Sequence, residues 1–131
     1  FTQTALIIFD IDDFKHVNDT FGHIVGDEVI RLVAEKLQVN VRNSDLIIRY
    51  GGDEFLVLIE QADFDDAWVV ANKILKEIGN SELYIAEINQ NIQVSVSASV
   101  AVGAASWMAL LEKADKSLFK AKENGKNKVA G

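Results

Sequence analysis

The stretch Ala5-Leu6-Ile7-Ile8-Phe9 is apolar without interruption and ends on Asp10-Ile11-Asp12-Asp13. Such a run predicts a buried strand that delivers carboxylates at its C-terminal edge, where folds that combine helices with a sheet place their sites. A short helix is predicted over 12–20, stopped by Gly22, and a longer one over 27–41, in which Val29, Val33, Leu37 and Val41 recur at four-residue steps. The β-rich runs 46–50 and 55–59 flank Gly51-Gly52-Asp53, a hairpin signal in which glycine supplies the positive φ of a tight turn. Asp63 can cap a helix to Ile78 whose Phe64, Ala67, Trp68, Ala71, Ile74, Leu75 and Ile78 keep a 3.6-residue period, ended by Gly79-Asn80. Two further strands, near 84–88 and 92–102, precede a last helix over 106–124 that Gly125 stops.

The predicted order is βααββαββα. Short hairpins force antiparallel pairing, and the helices are expected to cover one sheet face, which makes the fold an α+β sandwich of the ferredoxin-like or palm type with a mostly antiparallel sheet. No internal repeat, low-complexity tract or linker interrupts it, so residues 1–131 are read as one domain. The chain starts abruptly at Phe1, close to the first strand, as a domain truncated at its N-terminus would.

Composition narrows the partners. The 49% hydrophobic and 25% charged residues are the mix of an ordinary globular domain, with no apolar stretch long enough to span a bilayer. Twenty acidic against 13 basic residues give a net charge of -7, which opposes attraction to nucleic acid or an acidic membrane surface. Without cysteine there is neither a disulfide framework nor a thiolate metal site, and a reducing cytoplasm is the natural compartment.

Two carboxylate clusters remain to be explained: Asp10, Asp12 and Asp13 at the end of the first strand, and Asp53 and Glu54 in the hairpin. If both lie on neighbouring central strands they converge, and converging hard oxygen ligands hold Mg²⁺ or Mn²⁺ for phosphoryl transfer. Taken singly, each aspartate is as well explained as a solvated turn residue. The strand-to-helix turn at Asp12-Asp13-Phe14-Lys15 adds free backbone N–H groups that can hold phosphate, with Lys15 as a point charge or a plain surface lysine.

The sequence resembles the GGDEF family of diguanylate cyclases, and the resemblance runs essentially the whole length. It is carried by Phe9-Asp10-Ile11-Asp12-Asp13-Phe14-Lys15, Val17-Asn18-Asp19, Gly22-His23, Gly26-Asp27, Arg49-Tyr50-Gly51-Gly52-Asp53-Glu54-Phe55, Ala114-Asp115 and Ala121-Lys122 through Gly125-Lys126-Asn127. The resemblance implies a nucleotidyl cyclase-like fold and the joining of two GTP into cyclic di-GMP with loss of two pyrophosphates. It also implies two Mg²⁺ or Mn²⁺ ions per site, held by Asp10, the main-chain carbonyl of Ile11, Asp53 and, as auxiliary ligand, Glu54. Asp53 would also take the proton of the 3′-hydroxyl, and Lys15 would oppose charge on the transferring phosphate.

By the same resemblance, Phe14, Asn18, His23, Asp27, Gly51 and Gly52 would line the nucleotide, with Asn18 and Asp27 suited to the donors of guanine. His23 could equally cap the second helix. Lys122 and Lys126 would hold the triphosphate, although Lys126 stands where the family usually has arginine, and a lysine-rich helix end also complements its own dipole. Arg42 and Asp45 match a pattern that binds the product as inhibitor, while also suiting a helix end and turn. Ser99 stands at a usual glycine. The implied assembly is a transient homodimer of two GTP-loaded domains, with an upstream sensory or dimerising domain and a cytoplasmic location, in a larger protein that is free or membrane-anchored. Two alternatives stay open: a non-catalytic member that binds GTP or cyclic di-GMP, and a haloacid dehalogenase phosphatase, whose nucleophile motif Phe9-Asp10-Ile11-Asp12 resembles but whose sheet is doubly wound.

Overall fold

The computed structural model describes residues 3–103 and 106–131, so the expected start at Phe1 lies outside the described residues. The elements run β1 (Thr4–Ile11), α1 (Phe14–Phe21), α2 (His23–Asn40), β2 (Leu46–Arg49), β3 (Glu54–Glu60), α3 (Phe64–Gly79), β4 (Leu83–Ile85), β5 (Gln90–Ile92), β6 (Val96–Gly103), α4 (Trp107–Glu123) and β7 (Val129–Ala130). The main sheet has the order β2-β3-β1-β6-β7, and β1 pairs antiparallel along its length with both β3 and β6. Antiparallel pairing of the three central strands is what the hairpin signals predict, and it excludes the doubly wound phosphatase sheet.

The helices cover both faces of this sheet, not one. Ala5, Ile7, Phe9 and Ile11 of β1 join Val25, Val29, Val33 and Leu37 of α2 and Ala67, Ala71, Ile74 and Ile78 of α3 in one core. Leu6 and Ile8, on the opposite face, pack with Leu56, Ala101 and the α4 residues Leu110, Leu111, Ala114 and Leu118. The cause is already in β1: successive strand residues point to opposite faces, so an unbroken apolar run has two faces to bury. Ser99 sits on the α4 side, where its buried hydroxyl donates to the Ala114 carbonyl at 2.5 Å and ties β6 to the helix.

Three boundaries differ from expectation, each for a local reason. The single residue Gly22 separates α1 from α2, so α2 begins at His23, not at 27; Gly22 has φ 92° and ψ 169°, a region open to glycine alone. The predicted strands at 84–88 and 92–102 become a separate β4–β5 hairpin followed by β6, because residues 86–89 turn, with Asn89 at φ 49° and the Tyr84 hydroxyl donating to its Oδ1 at 2.6 Å. β7, parallel to β6, was not expected, since two residues show no periodicity. Asp63 caps α3 as predicted, in a reciprocal capping box with Asp66. Among the described residues no helix is long and apolar enough to cross a membrane.

Gly22 accepts from the Gly26 N–H at 3.1 Å and donates to the Asn18 carbonyl at 2.9 Å, so it cannot relax without loosening both helices. Gly22→Ala is expected to lower stability by about 1–3 kcal/mol, read as a shift of the urea midpoint at unchanged slope.

Candidate active site

Register brings the two carboxylate clusters together. Asp10, next to last in β1, lies opposite Glu54, the first residue of β3, and the Ile11 N–H donates to the Asp53 carbonyl at 3.0 Å. Arg49 secures the hairpin by donating to the Gly52 carbonyl at 2.9 Å, and Gly51, at φ 97°, makes the turn. Asp10 is buried, and burial is the main cause that pushes its carboxyl up to about 6; the Asp53 carboxylate beside it adds to the rise, while Lys122, 2.8 Å away, opposes it. Glu54 is also raised, first by burial and then by the charges of Asp10, Asp53 and Asp115.

Crowded acids of this kind need a positive partner. Lys122 meets only one oxygen of Asp10, and Asp10 Oδ1 is buried with no hydrogen-bond partner. Among the described residues, no three side chains of the His, Asp or Glu type stand close enough to enclose a metal by themselves. The donor set therefore fits a hard cation that draws its remaining ligands from backbone carbonyl, water and phosphate, as Mg²⁺ does. Ile11 has its side chain in the core, which leaves only its main chain to contribute.

The first cluster does not act as a unit. Asp12 turns inward, where its carboxylate accepts from Ser95 Oγ at 2.7 Å, Ser97 Oγ at 2.6 Å and the Asn127 N–H at 3.1 Å. Its oxygens are satisfied, so it is removed from the candidate ligands. Asp13 stays at the surface and pairs with Lys126 Nζ at 2.5 Å, which holds its carboxyl below the usual range and raises the lysine. Both lysines expected at the triphosphate, Lys122 and Lys126, thus reach the site from the end of α4 and rest on carboxylates.

The residues expected to line a nucleotide lie on α1 and the start of α2, apart from those of the hairpin. Asp13 precedes α1 in a left-handed conformation and its side chain makes no cap, so it leaves the first-turn N–H groups of α1 uncapped. Phe14 packs on the core while Lys15 is exposed. Asn18 lies against Gly26: a Cβ there would stand 1.9 Å from Asn18 Oδ1. That oxygen is buried and unpartnered. His23 and Asp27 are exposed one helical turn apart on α2; Gly22, not His23, occupies the cap position, so the capping alternative for His23 is set aside. An added Cβ at Gly52 would meet open space, so nothing within the protein requires glycine there.

Arg42 and Asp45 are not part of this site. They line a cleft of about 440 Å³ with Asn40, Ile59 and Gln61, at the far end of β3 from Glu54, roughly 20 Å along the strand. The Asp45 carboxylate accepts from the Arg42 N–H at 2.8 Å, which folds the turn after α2, while the Arg42 guanidinium remains largely in solvent. Sequence reasoning gave no role beside Asp12 to Ser95, Ser97 and Asn127, since a serine before or within a strand and a backbone N–H in a turn carry no chemical signal. It also gave no role to Asp115, whose seven-residue spacing from Lys122 places both on one side of α4.

Comparison with known proteins agrees with this geometry. The family described as "Diguanylate cyclase, GGDEF domain" matches residues 2–128. The response regulator PleD of Caulobacter vibrioides is 41% identical over 130 residues, which cover 97% of this chain and 29% of that protein. Diguanylate cyclase DosC of Escherichia coli is 36% identical over 130 residues, covering 98% of this chain and 28% of that protein. The chain thus spans less than a third of the length of these relatives. The GGDEF domain of DgcB from Caulobacter crescentus, solved in complex with c-di-GMP, superimposes with a TM-score of 0.94 at 31% identity over 98% of this chain and 77% of that one. The active GGEEF domain of a diguanylate cyclase from Vibrio cholerae gives 0.87 at 30% identity, over 98% and 81%. With the carboxylates of β1 and the hairpin converging where the motif requires, and the match extending over nearly every residue, this chain belongs to the GGDEF domain family of diguanylate cyclases.

Proposed function

We propose that residues 1–131 form one catalytic domain that, paired with a second copy, converts two GTP into cyclic di-GMP and two pyrophosphates. One observation carries this reading: the buried side-chain oxygens without a partner among the described residues are Asp10 Oδ1 and Asn18 Oδ1, one at the metal-type carboxylates and one in the nucleotide wall. An unpaired buried acceptor is costly unless a ligand satisfies it, and here two await different parts of one molecule.

Asp10, the Ile11 carbonyl and Asp53, with Glu54 beside them, would hold two divalent cations. When bound, these supply the charge that screens the phosphates and acidifies the 3′-hydroxyl. Asp53 accepts the 3′-hydroxyl proton as its oxygen attacks the partner nucleotide's α-phosphorus; the α–β bridging bond breaks and pyrophosphate leaves. Lys15 and the first-turn N–H groups of α1 oppose charge growing on that phosphate, and Lys122 and Lys126 exchange their carboxylates for the triphosphate tail. Asn18 and Asp27 read guanine, and Phe14, His23, Gly51 and Gly52 line it. Two domains must face each other with two-fold symmetry, and at -7 each they repel until nucleotide and cation neutralise the facing acids. The assembly is therefore a transient homodimer, stabilised in the longer protein by an upstream module. Arg42 and Asp45 bind the product and report its level.

Product formation from GTP and Mg²⁺, followed chromatographically, tests the reading. Asp53→Asn keeps the shape but removes basicity and is expected to reduce turnover by about 10²–10⁴; full activity in that variant, or binding of GTP without product in the wild type, would refute it.

Asp10 also sets a pH dependence. Its folded pKa of about 6 lies above 3.8, so ionising it lowers stability as pH rises between those values, and the deficit persists above them. A cation that binds the ionised form offsets the deficit. Mg²⁺ is expected to raise the thermal midpoint at about pH 8, to do so much less at about pH 5, and to have no such effect on Asp10→Asn.

Gly26→Ala drives Asn18 from its place, while the clash is with a side-chain end that can swing aside. GTP affinity should fall about tenfold, matching Asn18→Ala, with little change in thermal midpoint. Calorimetry and a melting curve decide it.

A further inference from the structure

The turn after α4 is held in an unfavourable backbone. Gly125, Lys126 and Asn127 have φ of 107°, 63° and 50°, three consecutive left-handed residues of which two carry a Cβ. Such a run persists only where its surroundings fix it. Two backbone anchors are visible: the Lys126 N–H donates to the Ala121 carbonyl at 3.1 Å, and the Asn127 N–H donates to Asp12 Oδ2 at 3.1 Å with Ser97 Oγ as a second acceptor at 3.2 Å.

Asp12 is 7% exposed, and its carboxylate joins three segments: its own just after β1, Ser95 and Ser97 just before and within β6, and the turn. An apolar residue at position 12 could also seal β1 against β6. It would leave the Asn127 N–H with Ser97 Oγ alone, at 3.2 Å. The residue just before that N–H is Lys126, whose ammonium lies at the β1–α1 loop against Asp13.

We propose that Asp12 is a positioning residue: by fixing the turn at 125–127 it aims Lys126 at the β1–α1 loop, where the triphosphate of the substrate proposed above would lie. The inference rests on that nucleotide reading. Asp12 touches neither substrate nor cation; its effect reaches the phosphate through the Asn127 amide and the Lys126 backbone. Asp12→Asn is nearly isosteric but removes the charge and turns one accepting oxygen into a donor, so the Asn127 amide is left with a weaker neutral acceptor or with none at position 12.

The test uses the whole chain and 3′-deoxy-GTP with Mg²⁺, a nucleotide that lacks the attacking hydroxyl and binds without turnover. Calorimetry on the wild type, Asp12→Asn, Lys126→Ala and the double variant forms a cycle. Asp12→Asn is expected to weaken binding about tenfold. In the Lys126→Ala background the same change should weaken it by less than about twofold, since the group it positions is gone. Amide exchange without nucleotide should show Asn127 exchanging faster in Asp12→Asn, with the β1 amides unchanged. Unaltered affinity despite a released Asn127 amide would make Asp12 a fold residue only and overturn the proposal, as would losses that add in the double variant. If the wild type itself does not bind the nucleotide, the substrate reading fails in every variant alike, which distinguishes that outcome. Should Asp12→Asn not fold, Ser97→Ala removes the second acceptor of the same amide; it must weaken binding several-fold through Lys126, and an unchanged affinity with a faster Asn127 amide overturns the proposal equally.

Discussion

The site depends on the register of β1 between its two antiparallel neighbours. Pairing along the strand, from Thr4 opposite Glu60 to Asp10 opposite Glu54 on one side and to Ile11 opposite Val96 on the other, leaves no freedom to slip. A one-residue slip would turn Ile7 and Phe9 from the α2–α3 core to the α4 core and carry Asp10 to the wrong face. Burial of both faces of β1 is thus the force that holds a carboxylate against Asp53 and Glu54. The apolar residues carry no chemistry, yet they fix where the chemistry stands.

That placement is electrostatically unfavourable in the absence of a ligand. Asp10 is buried beside two other acids, and Lys122 compensates only in part. Asp13 and Lys126 form a more exposed pair a few residues away, where solvent screening makes the attraction worth little to stability. Lys122 of α4 and Lys126 of the turn after it therefore neutralise carboxylates, whereas the buried Asp10 Oδ1 and Asn18 Oδ1 have no partner among the described residues. Stability given up at these atoms is the expected signature of a site built for a charged ligand.

Close approach shapes the α1–α2 corner, where the proposed function places the nucleotide. Gly22 allows two helices to meet with one residue between them, and Gly26 lets Asn18 sink against α2. Both glycines are needed for geometry, one for its backbone angle and the other for its missing Cβ. Together they hold a short helix, which has no buried residue of its own, tightly against α2.

The sequence by itself determined most of the helices and the β2–β3 hairpin, because these rest on local period, capping residues and glycine turns, all of which act within a few positions; the convergence of Asp10 with Asp53 was legible only on the condition that their strands are neighbours, which the long-range β1–β3 pairing decided. Its motifs also identified the family. Tertiary structure alone decided that helices cover both sheet faces, since which elements bury the second face of β1 is a question of packing between distant segments. It alone separated Asp12 from Asp10: adjacent strand side chains of the same type look alike in sequence, and only Ser95, Ser97 and Asn127, brought from more than 80 positions away, show which carboxylate is already satisfied. β7 and the left-handed turn before it were likewise invisible, because a two-residue strand and a strained turn are held by partners that local sequence does not contain.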